Sequence, residues 1–241
     1  MKNELRNEKR KNAAPREKGF TLVELLVAMF LLPLLFLSLH FLLNMSHVIL
    51  TTNDVFAQLN QGAVQALRSV SREIAQTNPN GTPARLSITT DANNNSVVRF
   101  QIPVDWDNDG DVVGNGSNNP VEWGAYDQAE QAHLAVTGAL GKPPGAVSSI
   151  QNRWARYSVA NGQLIREVLD TALNPLAGSQ RVIANNVSPA SGAFTVTGPA
   201  NNIVRITMTL RGIDRRGQNG TARTFADVPF TNETLLRTNL D

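Results

Sequence analysis

The chain has 241 residues, only 17% of them charged, and no cysteine. Disulfide scaffolds, thiol catalysis and Cys-type zinc sites are therefore excluded. The formal charge of +2 hides an imbalance. Residues 1–19 carry seven Lys/Arg and three Glu, a net +4, and the remaining residues sum to −2. Nothing after the leader forms the dense basic stripe that nucleic-acid binding requires, so no nucleic-acid partner is expected.

From Phe20 to Leu43 the sequence is almost wholly apolar, broken only by Thr21, Glu24, Ser38 and His40. Twenty-four helical residues reach about 36 Å, enough to cross a bilayer. A cleavable secretory signal has a shorter apolar core and a small-residue cut site, which "NMSHVIL" does not supply. The positive-inside rule places the basic residues 1–18 in the cytoplasm and the bulk of the chain outside.

Two residues in this run need a reason. A carboxylate deep in a span costs about 2.5–3.5 kcal/mol even on the lenient insertion scale, so Glu24 should have a partner. A cut between Gly19 and Phe20 would create an α-amino group four residues away, on the same helix face. Pro33 has no N–H to offer the Met29 carbonyl, so a bend is expected. Two readings of Pro33 stand side by side: a tolerated kink, or a point of local melting when subunits pack.

The stretch "KGFTLVELLVAM" resembles the class III signal of type IV pilins and type II secretion pseudopilins. That resemblance implies cleavage after Gly19 by prepilin peptidase, N-methylation of Phe20, and pairing of Glu24 with an N-terminal amine during assembly. It further implies an α+β, pilin-like fold, in which a long N-terminal helix packs on a mainly antiparallel β-sheet head. The first half of the helix would span the membrane. The expected division is a cytoplasmic leader (1–19), a transmembrane helix (20–43), an amphipathic stalk (44–76) and an extracytoplasmic β-rich head (77–241).

The stalk carries its own signal. Val55, Leu59, Ala63, Leu67, Val70 and Ile74 recur at helical spacing among glutamines and arginines, so a helix from Phe20 to about Gln76 is expected. "TNPNGTP" ends it, and a sheet from the same chain should cover the apolar stripe. "RLSITT" and "SVVRFQI" are expected to pair around Asp91–Asn95. "RWARYSVANGQLIREVL" should form a hairpin, with Asn161-Gly162 taking the positive φ angles of its turn. "IVRITMTL" alternates, with Val204, Ile206, Met208 and Leu210 on one face, and "TARTFADVPF" can pair with it. "VIANNV" and "GAFTVTG" add one or two short strands. Residues 127–152 stay ambiguous.

The order of these elements is similar to a minor pilin or pseudopilin head of the J or W type. So is the pattern Tyr-x-x-x-x-Gly-x-Leu-x-Arg in "YSVANGQLIR". Major pilins often close a C-terminal loop with a disulfide, and its absence here favours a minor subunit.

"DWDNDGDVVGNG", residues 105–116, opens like an EF-hand calcium loop. Asp105, Asp107 and Asp109 occupy alternate positions and Gly110 permits the turn. Asp111 would offer its carbonyl. Position twelve is Gly116 and not Glu, so Glu122 or Asp127 would complete the site. A solvated acidic turn is the plain alternative. Calcium, if bound, would be structural.

No catalytic constellation is legible. His40, His47 and His133 are scattered, and no serine stands in a nucleophile elbow. Trp106, Trp123 and Trp154 read as core or interface residues. The expectation is a structural subunit and not an enzyme. It would be processed by prepilin peptidase, held in the bacterial inner membrane with its head in the periplasm, and assembled with other pilins or pseudopilins into a type II secretion pseudopilus or a type IV pilus. The alternative is a tip adhesin or substrate-binding subunit with a calcium-stabilised head.

Overall fold

In the computed structural model, the structure is described for residues 19–79, 84–104, 112, 122–127, 130, 152–214 and 223–236. Among the described residues, one helix, α1 (Leu22–Ile74), is followed by ten strands. The chain divides into two compact units, Met1–Thr51 and Thr52–Asp241, and the boundary falls within α1.

In the first unit, α1 runs through Pro33 without interruption. No residue from 19 to 50 is buried. This stretch is long and apolar enough to cross a membrane, with a mean hydropathy of 2.6 in its best window. The helix begins two residues later than expected because Thr21 serves as its cap, which leaves Phe20 outside.

In the second unit, α1 buries the expected stripe, and Ala66 and Ser71 join it. The helix closes by tightening: the N–H groups of Gln76 and Thr77 donate to the carbonyls three residues back. The hydroxyl of fully buried Thr77 then donates to the Arg85 carbonyl at 2.8 Å. Three-residue closures of this kind satisfy carbonyls that the last helical turn leaves free.

The strands are β1 (Leu86–Thr90), β2 (Ser96–Phe100), β3 (Ile102–Pro103), β4 (Trp123–Gly124), β5 (Trp154–Ala160), β6 (Gln163–Leu169), β7 (Arg181–Ala184), β8 (Phe194–Ala200), β9 (Ile203–Asp214) and β10 (Arg223–Leu235). They form a five-stranded sheet in the order β1-β2-β5-β6-β7, a three-stranded sheet β10-β9-β8 and a two-stranded ladder β3-β4. Every pairing is antiparallel. The architecture is α+β, as expected.

The period-two pattern of β9 decides its orientation. Val204, Ile206 and Met208 are fully buried and Leu210 nearly so. A one-residue slip would send all four to solvent, so the register is firmly set. The β9 backbone also comes close to the helix. A methyl group on Gly212 would lie 3.1 Å from Val55 and 3.3 Å from Leu59, so glycine is what permits this approach. Phe225 of β10 packs against Phe56, with ring centroids 6.2 Å apart, and Asn232 donates to the Ser71 hydroxyl at 2.7 Å.

Side chains tie the two larger sheets together. Asn95 and Ser96, at the start of β2, accept the N–H groups of Phe194 and Val196 on β8, at 3.1 and 2.8 Å. A further device occurs twice. In Asp91–Asn95 the aspartate carboxylate accepts the N–H groups two and four residues on, and Asp170–Asn174 repeats that geometry. The fourth residue has positive φ in both: 57° at Asn94 and 67° at Leu173.

Trp123 is buried beneath the Arg85 guanidinium, and Trp154 is half-buried on β5. His40 and His47 lie exposed on α1. Trp106, His133 and most of the ambiguous segment 127–152 lie outside the described residues.

Candidate functional site

The best-defined site in the first unit is the start of α1. Thr21 precedes the first helical turn, and Glu24 is the third helical residue. Glu24 Oε2 accepts the Thr21 N–H at 2.9 Å and the Thr21 hydroxyl at 3.0 Å. In return, the Glu24 N–H donates to Thr21 Oγ1 at 3.3 Å. This is a reciprocal capping box: each side chain satisfies a backbone donor that the helix start would otherwise leave open. The Thr-x-x-Glu spacing signals it in the sequence, but the reading of Glu24 as an amine partner left it out.

Two consequences follow from the geometry. The cap uses the N–H of the Phe20–Thr21 peptide, so cutting the Gly19–Phe20 bond would leave it intact. Both side-chain bonds also go to Oε2. Among the described residues Oε1 receives none, and one oxygen remains for a cation. Gly19 and Phe20 are exposed, Phe20 at 86%, and an added methyl group on Gly19 would meet nothing within 4 Å. Lys18 and the residues before it lie outside the described residues.

Comparison with known families gives one match. Residues 14–38 match the model of the prokaryotic N-terminal methylation motif. This chain carries that motif. The match includes Gly19, Phe20, Thr21 and Glu24 and ends five residues after Pro33. It covers about a tenth of the chain. No curated protein and no solved structure matches the sequence.

In the second unit, the Tyr-x-x-x-x-Gly-x-Leu-x-Arg pattern becomes a clamp. Asn161 (φ 52°) and Gly162 (φ 69°) make the expected tight turn. That turn sets Tyr157 of β5 directly opposite Arg166 of β6. Both side chains converge on Glu73 of α1: Tyr157 donates its hydroxyl to Oε2 at 3.1 Å, and Arg166 Nε donates to the same oxygen at 2.8 Å. Arg166 and Tyr157 are among the largest fully buried side chains. Phe100 stacks on the tyrosine ring at 5.7 Å. Burial pushes the Tyr157 hydroxyl well above its usual range, and the Glu73 charge adds to that. Leu164, the leucine of the pattern, is fully buried in the core. Glu73 escaped sequence reading because a lone acid within an amphipathic stripe looks like a solvated position.

The candidate calcium ligands divide. Asp105, Asp107, Asp109 and Asp111 lie outside the described residues. Glu122 is buried, at 3% exposure. Its N–H donates to the Val112 carbonyl at 2.8 Å, and its carbonyl accepts the Val104 N–H at 2.9 Å. Its backbone therefore bridges residues on both flanks of the aspartate run. Asp127 is engaged elsewhere: it caps Glu130, accepting that residue's N–H at 2.9 Å while the Glu130 carboxylate accepts the Asp127 N–H at 2.7 Å. Among the described residues no group of three His, Asp or Glu could hold a metal.

Proposed function

We propose that the chain is a minor subunit of a type IV pilus or a type II secretion pseudopilus. Prepilin peptidase cuts after Gly19 and the amino group of Phe20 is methylated. The basic leader stays in the cytoplasm, the first half of α1 spans the inner membrane, and the β-rich unit faces the periplasm. On assembly, Glu24 keeps its cap to Thr21 through Oε2 and presents Oε1 to the N-terminal ammonium of a neighbouring subunit. The observation that carries this reading is the methylation motif, residues 14–38, placed at the start of an apolar helix with no buried residue before position 51. The J- or W-type assignment rests on element order and on the hairpin pattern. Glu24→Ala should leave membrane insertion intact and impair incorporation into filaments, as read by shearing and immunoblotting. Normal incorporation would refute the pairing role.

The head has a second reading, as a tip or substrate-binding unit stabilised by calcium. It is favoured by the buried carboxylate of Glu122, whose backbone bonds to Val104 and Val112 on either side of Asp105–Asp111. Those aspartates, with Glu122, would hold the ion, which would neutralise charges that otherwise repel one another. EDTA should lower the melting temperature of the full chain in detergent and calcium should restore it. Identical curves would rule out a stabilising site.

A further inference from the structure

The two larger sheets end in four edge strands, β1 and β7 in one, β8 and β10 in the other. An edge offers unpaired N–H and C=O groups to other chains, so proteins guard edges with charge, proline, bulges or short strands. Three of these four are guarded. β10 carries Asp227, Glu233 and Pro229. Thr209, the register partner of Pro229, donates its N–H to Ala193 at 2.7 Å and accepts the Ser188 N–H at 2.9 Å, so both its groups face away from β10. Pro229 therefore stands in a non-bonded pair, and the N–H it lacks is one the outer edge would have offered. On β8 the outward N–H groups of Phe194 and Val196 are taken by the side chains of Asn95 and Ser96. β7 has only four residues, one of them Arg181, and a register shift against β6.

β1 has none of these devices. Its five residues hold no charge and no proline, and they pair with β2 in unbroken register. On either side of β1 the chain bonds towards β2: the Arg85 carbonyl accepts the Gln101 N–H, and the Asp91 N–H donates to the Asn95 carbonyl, both at 2.9 Å. The alternation of an antiparallel ladder then turns the N–H and C=O groups of Leu86, Ile88 and Thr90 outward. Among the described residues nothing bonds to them. The side chains of Leu86 and Ile88 are half-buried, packed at the rim of the core.

The solvent-side face adds a charge. Ser87, Arg99, Arg156 and Glu167 stand in one row across β1, β2, β5 and β6. Arg156 is paired with Glu167 at 2.6 Å. Arg99 is half-buried and has no ion pair among the described residues. Like charges directly opposite each other are destabilising, so this row is one carboxylate short.

We propose that the free edge of β1 receives an extended segment of a different protein subunit, apolar-acidic-apolar in sequence, as a sixth strand of the sheet. Its peptide groups would bond to Leu86, Ile88 and Thr90, and its apolar side chains would extend the core beside Leu86 and Ile88. Its carboxylate would meet Arg99 across Ser87. An added strand lies two strand spacings from β2, about 10 Å, within the joined reach of an arginine and a carboxylate. Ser87 is too short to stand in the way. A second copy suits the edge poorly. Its β7, β8 and β10 are guarded, and β1 laid against β1 brings no carboxylate to either Arg99. The contact deepens the reading of the chain as a minor subunit and rests on it: a strand supplied by a different subunit occupies the edge without propagating.

Hydrogen exchange read by mass spectrometry tests the contact on the full-length chain. One sample is purified alone in detergent, the other in the same detergent from cells that make the whole assembly machinery. The amides of Leu86, Ile88 and Thr90 should exchange at least about tenfold more slowly in the second sample. Those of Thr231 and Glu233 on guarded β10 should not change. Equal exchange at β1 in the two samples overturns the proposal. So does protection that appears in the chain purified alone and is lost on dilution, which marks a second copy. Thr90→Pro removes an outward donor and no bond to β2, and Arg99→Ser removes the charge. Each should melt like the parent and lose the added protection. Full protection in Thr90→Pro overturns strand addition, and full protection in Arg99→Ser overturns the acidic partner. The N-terminus of both samples is read by mass in parallel. A chain beginning at Phe20 with β1 unprotected removes this contact alone. A protected chain still beginning at Met1 removes the processing reading and leaves the contact standing.

Discussion

The two halves of α1 are continuous in backbone and opposite in circumstance. From Leu22 to Leu50 the side chains are apolar on every face, and none is buried by the rest of the chain. From Val55 to Ile74 the apolar residues fall every three or four positions, and eight residues are buried. The difference lies in pattern more than in composition. A stripe needs one cover, which the β-sheets supply. A helix apolar all round is suited to lipid or to packing among other helices.

Substitutions can break or sharpen that contrast. The largest effect is expected at the clamp. Arg166→Ala would break the largely buried ion pair between Arg166 and Glu73, at a cost of about 3–5 kcal/mol. Chemical denaturation of the full chain in detergent should show it, and a loss under about 1 kcal/mol would remove the clamp from the account of stability. Next comes a matched pair. Leu59→Ala, in the buried stripe, should cost about 2–5 kcal/mol. Leu35→Ala, in the exposed half, should leave unfolding of the β-rich unit unchanged. Equal effects would erase the distinction between the halves.

Smaller changes probe details. Leu173→Asn should stabilise the chain by up to about 1 kcal/mol, because asparagine tolerates positive φ and its twin Asn94 already occupies that conformation. A destabilising result would mean that Leu173 is held by packing within its own chain. Tyr157 makes an alkaline prediction. Its hydroxyl is pushed well above the ordinary value of 10.0 by burial first and by Glu73 second. The folded state therefore keeps a proton that the unfolded state loses. The stability this contributes is complete below about pH 10 and declines as pH rises beyond it. Tyr157→Phe should flatten that decline, and denaturation midpoints measured between pH 9 and 11 would test it.

Much of the fold was legible where the deciding interactions are local. Alternation set the faces of β9, Asn161-Gly162 set the β5–β6 register, and helical spacing marked the stripe of α1. The start of α1 was legible as a methylation motif because Gly19, Phe20 and Glu24 stand in one short run, and the family model matches residues 14–38. What the sequence hid depends on residues far apart. Glu73 lies 84 residues from Tyr157 and 93 from Arg166. The joining of β2 to β8 rests on Asn95 and Ser96 reaching across about a hundred residues. The second aspartate turn was missed for a different reason, since leucine at positive φ is not a turn signal. Glu24 was read for its charge, and its hydrogen bonds to Thr21, three residues away, were passed over.

The central claim is that residues 1–19 are a leader and that Phe20 becomes the mature N-terminus. Intact-mass and N-terminal peptide measurement of the chain, purified from cells with an active prepilin peptidase, tests it most directly. The expected product begins at Phe20 and carries one added methyl group on its amine. A mature chain that still begins at Met1 in those cells would contradict it.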